Sequence, residues 1–181
     1  MDLTEKTIES KDIFEGRIIH VRLDTVELPN GNTSTREVVA HQGGVCVAAL
    51  TEKNELLFVR QYRYPYHEVL LELPAGKLEK GESPLENGKR ELLEETGATG
   101  RGYVSLGKLY PSPGYCGEII HMYFCRVAGY GEQNPDDDEF VEVERIPLSR
   151  AVEMVLNHEI PDAKTQTAVL KTALLLKEGR L

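Results

Sequence analysis

Apolar and polar residues alternate with period two across 17–28, RIIHVRLDTVEL, which predicts a half-buried β-strand. Pro29-Asn30-Gly31-Asn32 is a strong turn signal, so 35–39 is expected to return as the second strand of a hairpin. After His41-Gln42-Gly43-Gly44 the apolar run VCVAALT reads as a buried strand, followed by a turn at 52–54 and the strand ELLFVRQYR. Further along, 103–110, 119–127 and 141–146 have strand character, and helices are expected over about 149–157 and 162–177. In the second of these helices Thr165, Ala168, Val169, Ala173 and Leu176 recur at helical spacing. An N-terminal antiparallel unit over 1–40 followed by a mixed domain over 41–181 is the expected organisation, and its class is α+β.

Between these groups lies GKLEKGESPLENGKRELLEETGA, where the signals are for a helix with chemistry on it. Ser83 suits the N-cap, Pro84 the first helical position, and Glu86 completes a capping box. Gly97 is placed for a left-handed C-terminal cap, while Gly88 is a poor interior residue, costing about 1 kcal/mol relative to Ala. On such a helix Glu91 stands three residues from Glu94 and four from Glu95, so the three carboxylates share a face. Like charges at that spacing repel, and the macrodipole disfavours anions near a C-terminus. A divalent cation would relieve the repulsion. Taken alone, KRELLEE reads more readily as a solvated face paired through Lys89 and Arg90.

Charge and cysteines narrow the function classes. Lys and Arg total 21 against 30 Asp and Glu, a net charge of -9, which argues against broad nucleic-acid binding. No apolar run approaches membrane-spanning length, and MDLTEKTIES lacks a signal-peptide core. Cys46, Cys116 and Cys125 are scattered and odd in number, so they read as reduced thiols of a cytoplasmic protein.

Gly76, Glu82, Arg90, Glu91, Glu94, Glu95 and Gly97, with Leu92 at the apolar position, match the pattern G-x5-E-x7-R-E-U-x-E-E-x-G-U. Seven fixed matches at residue frequencies of about 0.07 arise by chance roughly once in 10^8 starting points. The segment resembles the Nudix box, with a small Ala98 where a larger aliphatic is common. The resemblance implies the Nudix fold, an α/β/α sandwich whose mixed sheet lies between helices. It also implies metal binding with Glu91 and Glu95 as the closest ligands and Glu94 assisting directly or through water, orientation of these acids by Arg90, and supporting roles for Glu82 and the Ala75 carbonyl. Magnesium suits such oxygen ligands, with manganese the other option.

Outside the box, Pro113 is the fifteenth residue after Ala98, within Ser112-Pro113-Gly114, and Glu118 follows. This placement is similar to the ADP-ribose pyrophosphatase subgroup. Arg63 in RQYRYP matches a phosphate-contacting position of that subgroup, and Arg36 is a weaker substrate-binding match. The acidic loop NPDDDEF resembles the segment carrying the subgroup's general base, with the register open between Asp137, Asp138 and Glu139. The implied reaction is hydrolysis of ADP-ribose to AMP and ribose 5-phosphate by a homodimer whose N-terminal strands complete the partner's site. Two alternatives stay open: another nucleoside diphosphate derivative such as an ADP-sugar, and a non-catalytic ADP-ribose sensor on the same fold.

Overall fold

The alternating N-terminal segments pair as an antiparallel sheet of β1 (Lys6–Glu15), β2 (Ile19–Glu27) and β3 (Thr33–His41), in that order. The computed structural model describes residues 2–135 and 139–181. At the β2–β3 turn Gly31 has φ 82°, a left-handed conformation that glycine adopts without a Cβ clash, and the Leu28 N–H donates to the Asn32 carbonyl at 2.8 Å. Strand β1 was not foreseen. Its register shifts between Thr7 and Glu9 and again between Asp12 and Phe14, which breaks the period-two signal, and all ten residues are exposed. The segment Tyr110–Ile119 belongs to the same compact unit as the chain up to Gly43. There the Val39 N–H donates to the Tyr115 carbonyl and the Gly117 N–H to the Val39 carbonyl, both at 2.8 Å.

The second unit, Gly44–Leu109 with Ile120–Leu181, contains a seven-stranded sheet. Its strands are β4 (Gly44–Leu50), β5 (Glu55–Arg63), β6 (Glu68–Glu72), β7 (Ala75–Lys77), β8 (Ala98–Leu109), β9 (Ile120–Tyr130) and β10 (Val141–Pro147). They run β10-β5-β4-β9-β8, with β6 on β5 and β7 on β4; β4 and β9 are parallel and the other pairs antiparallel. Three helices complete the unit: α1 (Pro84–Thr96), α2 (Leu148–Leu156) and α3 (Ala163–Lys177). Strand β8 starts five residues before the expected 103, at Ala98. Glycines with φ 64° at Gly102 and 93° at Gly107 accompany register shifts that hide its periodicity.

Every residue of β4 is buried because the sheet is covered on both faces. Cys46, Ala48 and Leu50 pack with Phe58, Met122, Phe124 and the α2–α3 residues Ala151, Val155, Ala168 and Val169. Val47 and Ala49 point to the other layer, with Leu57, Leu92, Cys125 and Val127. Burying each such large aliphatic or aromatic side chain contributes about 1.5–3 kcal/mol. The layers make the expected α/β/α sandwich. Gly88 is explained by packing: a Cβ there would lie 3.0 Å from Val45 Cγ2 and 3.2 Å from Val47 Cγ2, so the glycine lets α1 approach β4.

Candidate active site

Helix α1 is fixed at both ends. Ser83 Oγ accepts from the Glu86 N–H at 3.3 Å, and Gly97, with φ 68°, donates its N–H to the Leu93 carbonyl at 2.7 Å. The close approach of Gly88 to Val45 and Val47 sets the rotation of the helix, and with it the fate of the three acids. Glu91 is 8% exposed and Glu95 1%, whereas Glu94 stays half-buried. The Ala75 N–H donates to Glu95 Oε2 at 2.9 Å. Beside it, a Cβ built on Gly76 would run into the Glu91 carboxylate, so the glycine leaves the space that Glu91 occupies.

Arg90 holds four acids. Its Nη2 lies 3.0 Å from Glu91 Oε1 and 3.2 Å from Glu79 Oε1, its Nη1 2.5 Å from Glu94 Oε2, and its Nε 3.4 Å from Glu82 Oε2. Glu82 also accepts from Asn87 Nδ2 at 2.8 Å. Of the acids around Arg90 only Glu91 is buried, and with Glu95 it forms the buried pair. Glu79 and Asn87 stand at variable positions of the box and are not singled out by its pattern; their contacts with Arg90 and Glu82 emerge only in the folded arrangement.

Burial dominates the electrostatics of that pair. It pushes the Glu91 carboxyl up to about 7, with Glu94 and Glu139 adding repulsion against the opposing pull of Arg90. Glu95 is pushed up to about 8, again mainly by burial, with Glu91 and Glu139 adding to it and the Ala75 N–H opposing. Glu139 is therefore close enough for its charge to act on both acids. Asp137 and Asp138 lie outside the described residues.

The sign of the resulting pH dependence follows from linkage. Between about 4.5, the ordinary carboxyl value, and about 7 to 8, the folded chain binds protons that the unfolded chain has released. Stability from these groups thus falls as pH rises through that window. Without divalent cation, the melting temperature is expected to be about 5 °C higher near pH 6 than near pH 9, from a difference of about 2 kcal/mol. Saturating Mg2+ should shrink that gap. Thermal melts in EDTA and in Mg2+ across this range test it; a Tm that rises from pH 6 to 9 in EDTA would contradict the destabilising pair.

Arg63, at the end of β5, makes a bidentate pair with Glu72, Nε to Oε1 at 2.6 Å and Nη2 to Oε2 at 2.8 Å. Glu72 also accepts from Lys164, which lies 3.0 Å from Asp162 Oδ1 at the N-cap of α3. Burial opposes ionisation of Glu72, but Arg63 and Lys164 outweigh it and hold the carboxyl at about 2. Arg63 and Glu95 act on each other electrostatically, each favouring the other's charged form. Glu72 and Lys164 escaped the sequence reading: Glu72 ends a short strand that was not predicted, and its Lys164 partner is 92 residues away.

The remaining predicted residues lie in the N-terminal unit. Arg36 on β3 is engaged by Glu5, at 2.8 Å from Nε to Oε2. Pro113, Gly114 and Glu118 lie in the Tyr110–Ile119 segment, with Glu118 Oε1 3.5 Å from His41 Nδ1.

A NUDIX domain model matches residues 40–168. The chain belongs to the Nudix family. A model of the nucleoside diphosphate sugar hydrolase N-terminal domain matches residues 5–39. Among relatives of this Nudix chain, an ADP-ribose pyrophosphatase of Bacillus subtilis (strain 168) is 43% identical over 98% of the chain and 96% of the relative. A methanol dehydrogenase activator of Bacillus methanolicus is 44% identical over 91% and 90%. A crystal structure of an ADP compounds hydrolase superposes with a TM-score of 0.86 at 20% identity, covering 100% of both chains, and so shares the fold.

Nudix hydrolases generally work with a divalent cation, and the residues here fit one. Two buried carboxylates with raised pKa stand against the Ala75-Gly76 backbone, in space that a side chain at residue 76 would fill. Among the described residues no three His, Cys, Asp or Glu side chains are gathered as a ready-made cage. A hard cation that keeps several waters needs only one or two carboxylates, so the pair suffices.

Proposed function

We propose that the protein hydrolyses the diphosphate of ADP-ribose to AMP and ribose 5-phosphate with Mg2+ as its cofactor. The observation that carries the reading is the buried Glu91–Glu95 pair at the Ala75-Gly76 backbone, in a chain 43% identical to an ADP-ribose pyrophosphatase. Glu91 and Glu95 would hold the cation, with Glu94 and the Ala75 carbonyl assisting, and Glu82 supports the helix through Asn87 and Arg90. When bound, the cation neutralises charge on the diphosphate oxygens and lowers the pKa of a coordinated water.

The chain's own residues supply the rest. Arg90 orients the neighbouring acids and pulls Glu91 toward its charged form against the effect of burial. Arg63 presents its guanidinium edge to a substrate phosphate. Among the described residues of the acidic loop, Glu139, whose charge acts on both Glu91 and Glu95, accepts the proton of the attacking water. Pro113, Gly114, Glu118 and Arg36 are substrate-binding residues carried by the N-terminal unit. The exposed Ile8, Ile13 and Phe14 of β1 support a homodimer formed through the N-terminal unit. The free Cys46, Cys116 and Cys125 suit a reducing cytoplasmic setting.

Purified protein in Mg2+ is expected to release AMP from ADP-ribose at least about tenfold faster than from ADP-sugars, and EDTA should stop it. Faster turnover of an ADP-sugar would move the assignment to that substrate. Tight ADP-ribose binding with no AMP in Mg2+ or Mn2+ would mean a sensor and sink the catalytic reading.

A further inference from the structure

Arg63 and Glu72 occupy one face of the β5–β6 hairpin, but they are not cross-strand partners. Glu72 stands opposite Val59, four residues back from Arg63, whose own partner is Glu68. The guanidinium therefore reaches back along the strand to meet both carboxylate oxygens. A long side chain held in that pose has given up rotamer freedom, which two short charge-assisted hydrogen bonds offset. Glu72 is 1% exposed, so the anchor is rigid and dry. Lys164 contacts the same Oε2 atom that receives Arg63 Nη2, so the carboxylate is shared between two cations. Sharing leaves Arg63 more of its positive field than an exclusive partner would.

The anchor is also tied to the metal-site backbone. The Leu73 N–H, next to Glu72, donates to the buried Thr165 Oγ1 at 2.9 Å, and Asp162 caps the same helix by accepting from the Thr165 N–H at 2.9 Å. Two residues beyond Leu73, Ala75 donates to Glu95. One strand end thus sets Arg63, the start of α3 and the Glu95 carboxylate relative to one another.

We propose that Glu72 is a positioning residue for substrate binding: it aims the Arg63 guanidinium at the substrate diphosphate, and Lys164, braced by Asp162, holds Glu72 in place. This rests on the phosphate-binding reading of Arg63. Glu72 itself touches no substrate.

A double-mutant cycle with ADP-ribose in Mg2+ tests it, with kcat/KM and Tm read on the same proteins. Arg63→Ala is expected to lower kcat/KM at least about tenfold, mostly through KM. Glu72→Gln, which leaves Lys164 its Asp162 partner, should lower kcat/KM by a similar factor in the wild-type background. In the Arg63→Ala background it should cost less than about twofold, because nothing remains to be aimed, while its effect on Tm persists. A purely structural Glu72 would give equal kcat/KM losses in both backgrounds, and that result, or no loss in either, overturns the proposal while leaving the Arg63 reading intact. If Arg63→Ala leaves kcat/KM unchanged, the Arg63 reading falls and the positioning role with it. Should Glu72→Gln fail to fold, Glu72→Asp keeps the buried charge but shortens its reach, and it is judged by the same criterion.

Discussion

Glu95→Gln is expected to lower kcat by about 10^3-fold or more while the protein remains folded. Losing one anionic ligand from a site that neutralises diphosphate charge removes about 4 kcal/mol of transition-state stabilisation, at 1.36 kcal/mol per tenfold. The fold should tolerate the change because the amide oxygen can still accept from the Ala75 N–H. Stability should even increase. The wild-type carboxyl is buried and pushed up to about 8, so at pH 9 it is a charge held in an unfavourable place. The variant's Tm in EDTA at that pH should exceed the wild-type value. Turnover within tenfold of wild type would refute the metal role of Glu95; lost activity with a lower Tm would point to a collapsed site instead.

Gly76→Ala carries the second large effect. Gly76 does not need a left-handed backbone, so alanine should disturb the strand itself little. The conflict is with the Glu91 carboxylate, which the new methyl would displace. Glu91 has little room to yield, being 8% exposed and tied to Arg90 Nη2 at 3.0 Å. The expected result is a loss of about 10^2-fold in kcat/KM, with the Mg2+ concentration for half-maximal activity raised at least about tenfold. Titrating activity against Mg2+ for the folded variant checks this. An unchanged Mg2+ dependence would show that the space beside Gly76 does not serve the metal site.

Much of the architecture was legible because its signals are local. The 55–63 strand, the caps of α1 at Ser83 and Gly97, and the Asp162 start of α3 each follow from a few adjacent residues. Where local signals were interrupted, the reading missed elements. Two register shifts concealed β1, and the glycines of β8 concealed its first five residues. The short β6 gave too few positions for a periodicity, although its last residue, Glu72, anchors the Arg63 pair.

The candidate site divides in the same way. Sequence alone put Glu91, Glu94 and Glu95 on one helical face, supplied Arg90 as their neighbour, and marked the Nudix box through spacing. The family resemblance put Glu91 and Glu95 ahead of Glu94, but helical spacing alone could not show which acids are buried, because that depends on which way α1 turns against β4, a question settled by Gly88 meeting Val45 and Val47. Nor could it show that the Arg63 guanidinium is held by Glu72 and, through it, by Lys164. Helical spacing and capping are encoded within a turn or two of chain. Burial and ion pairing arise between residues far apart in sequence, and only the packed sheet and helices bring them together.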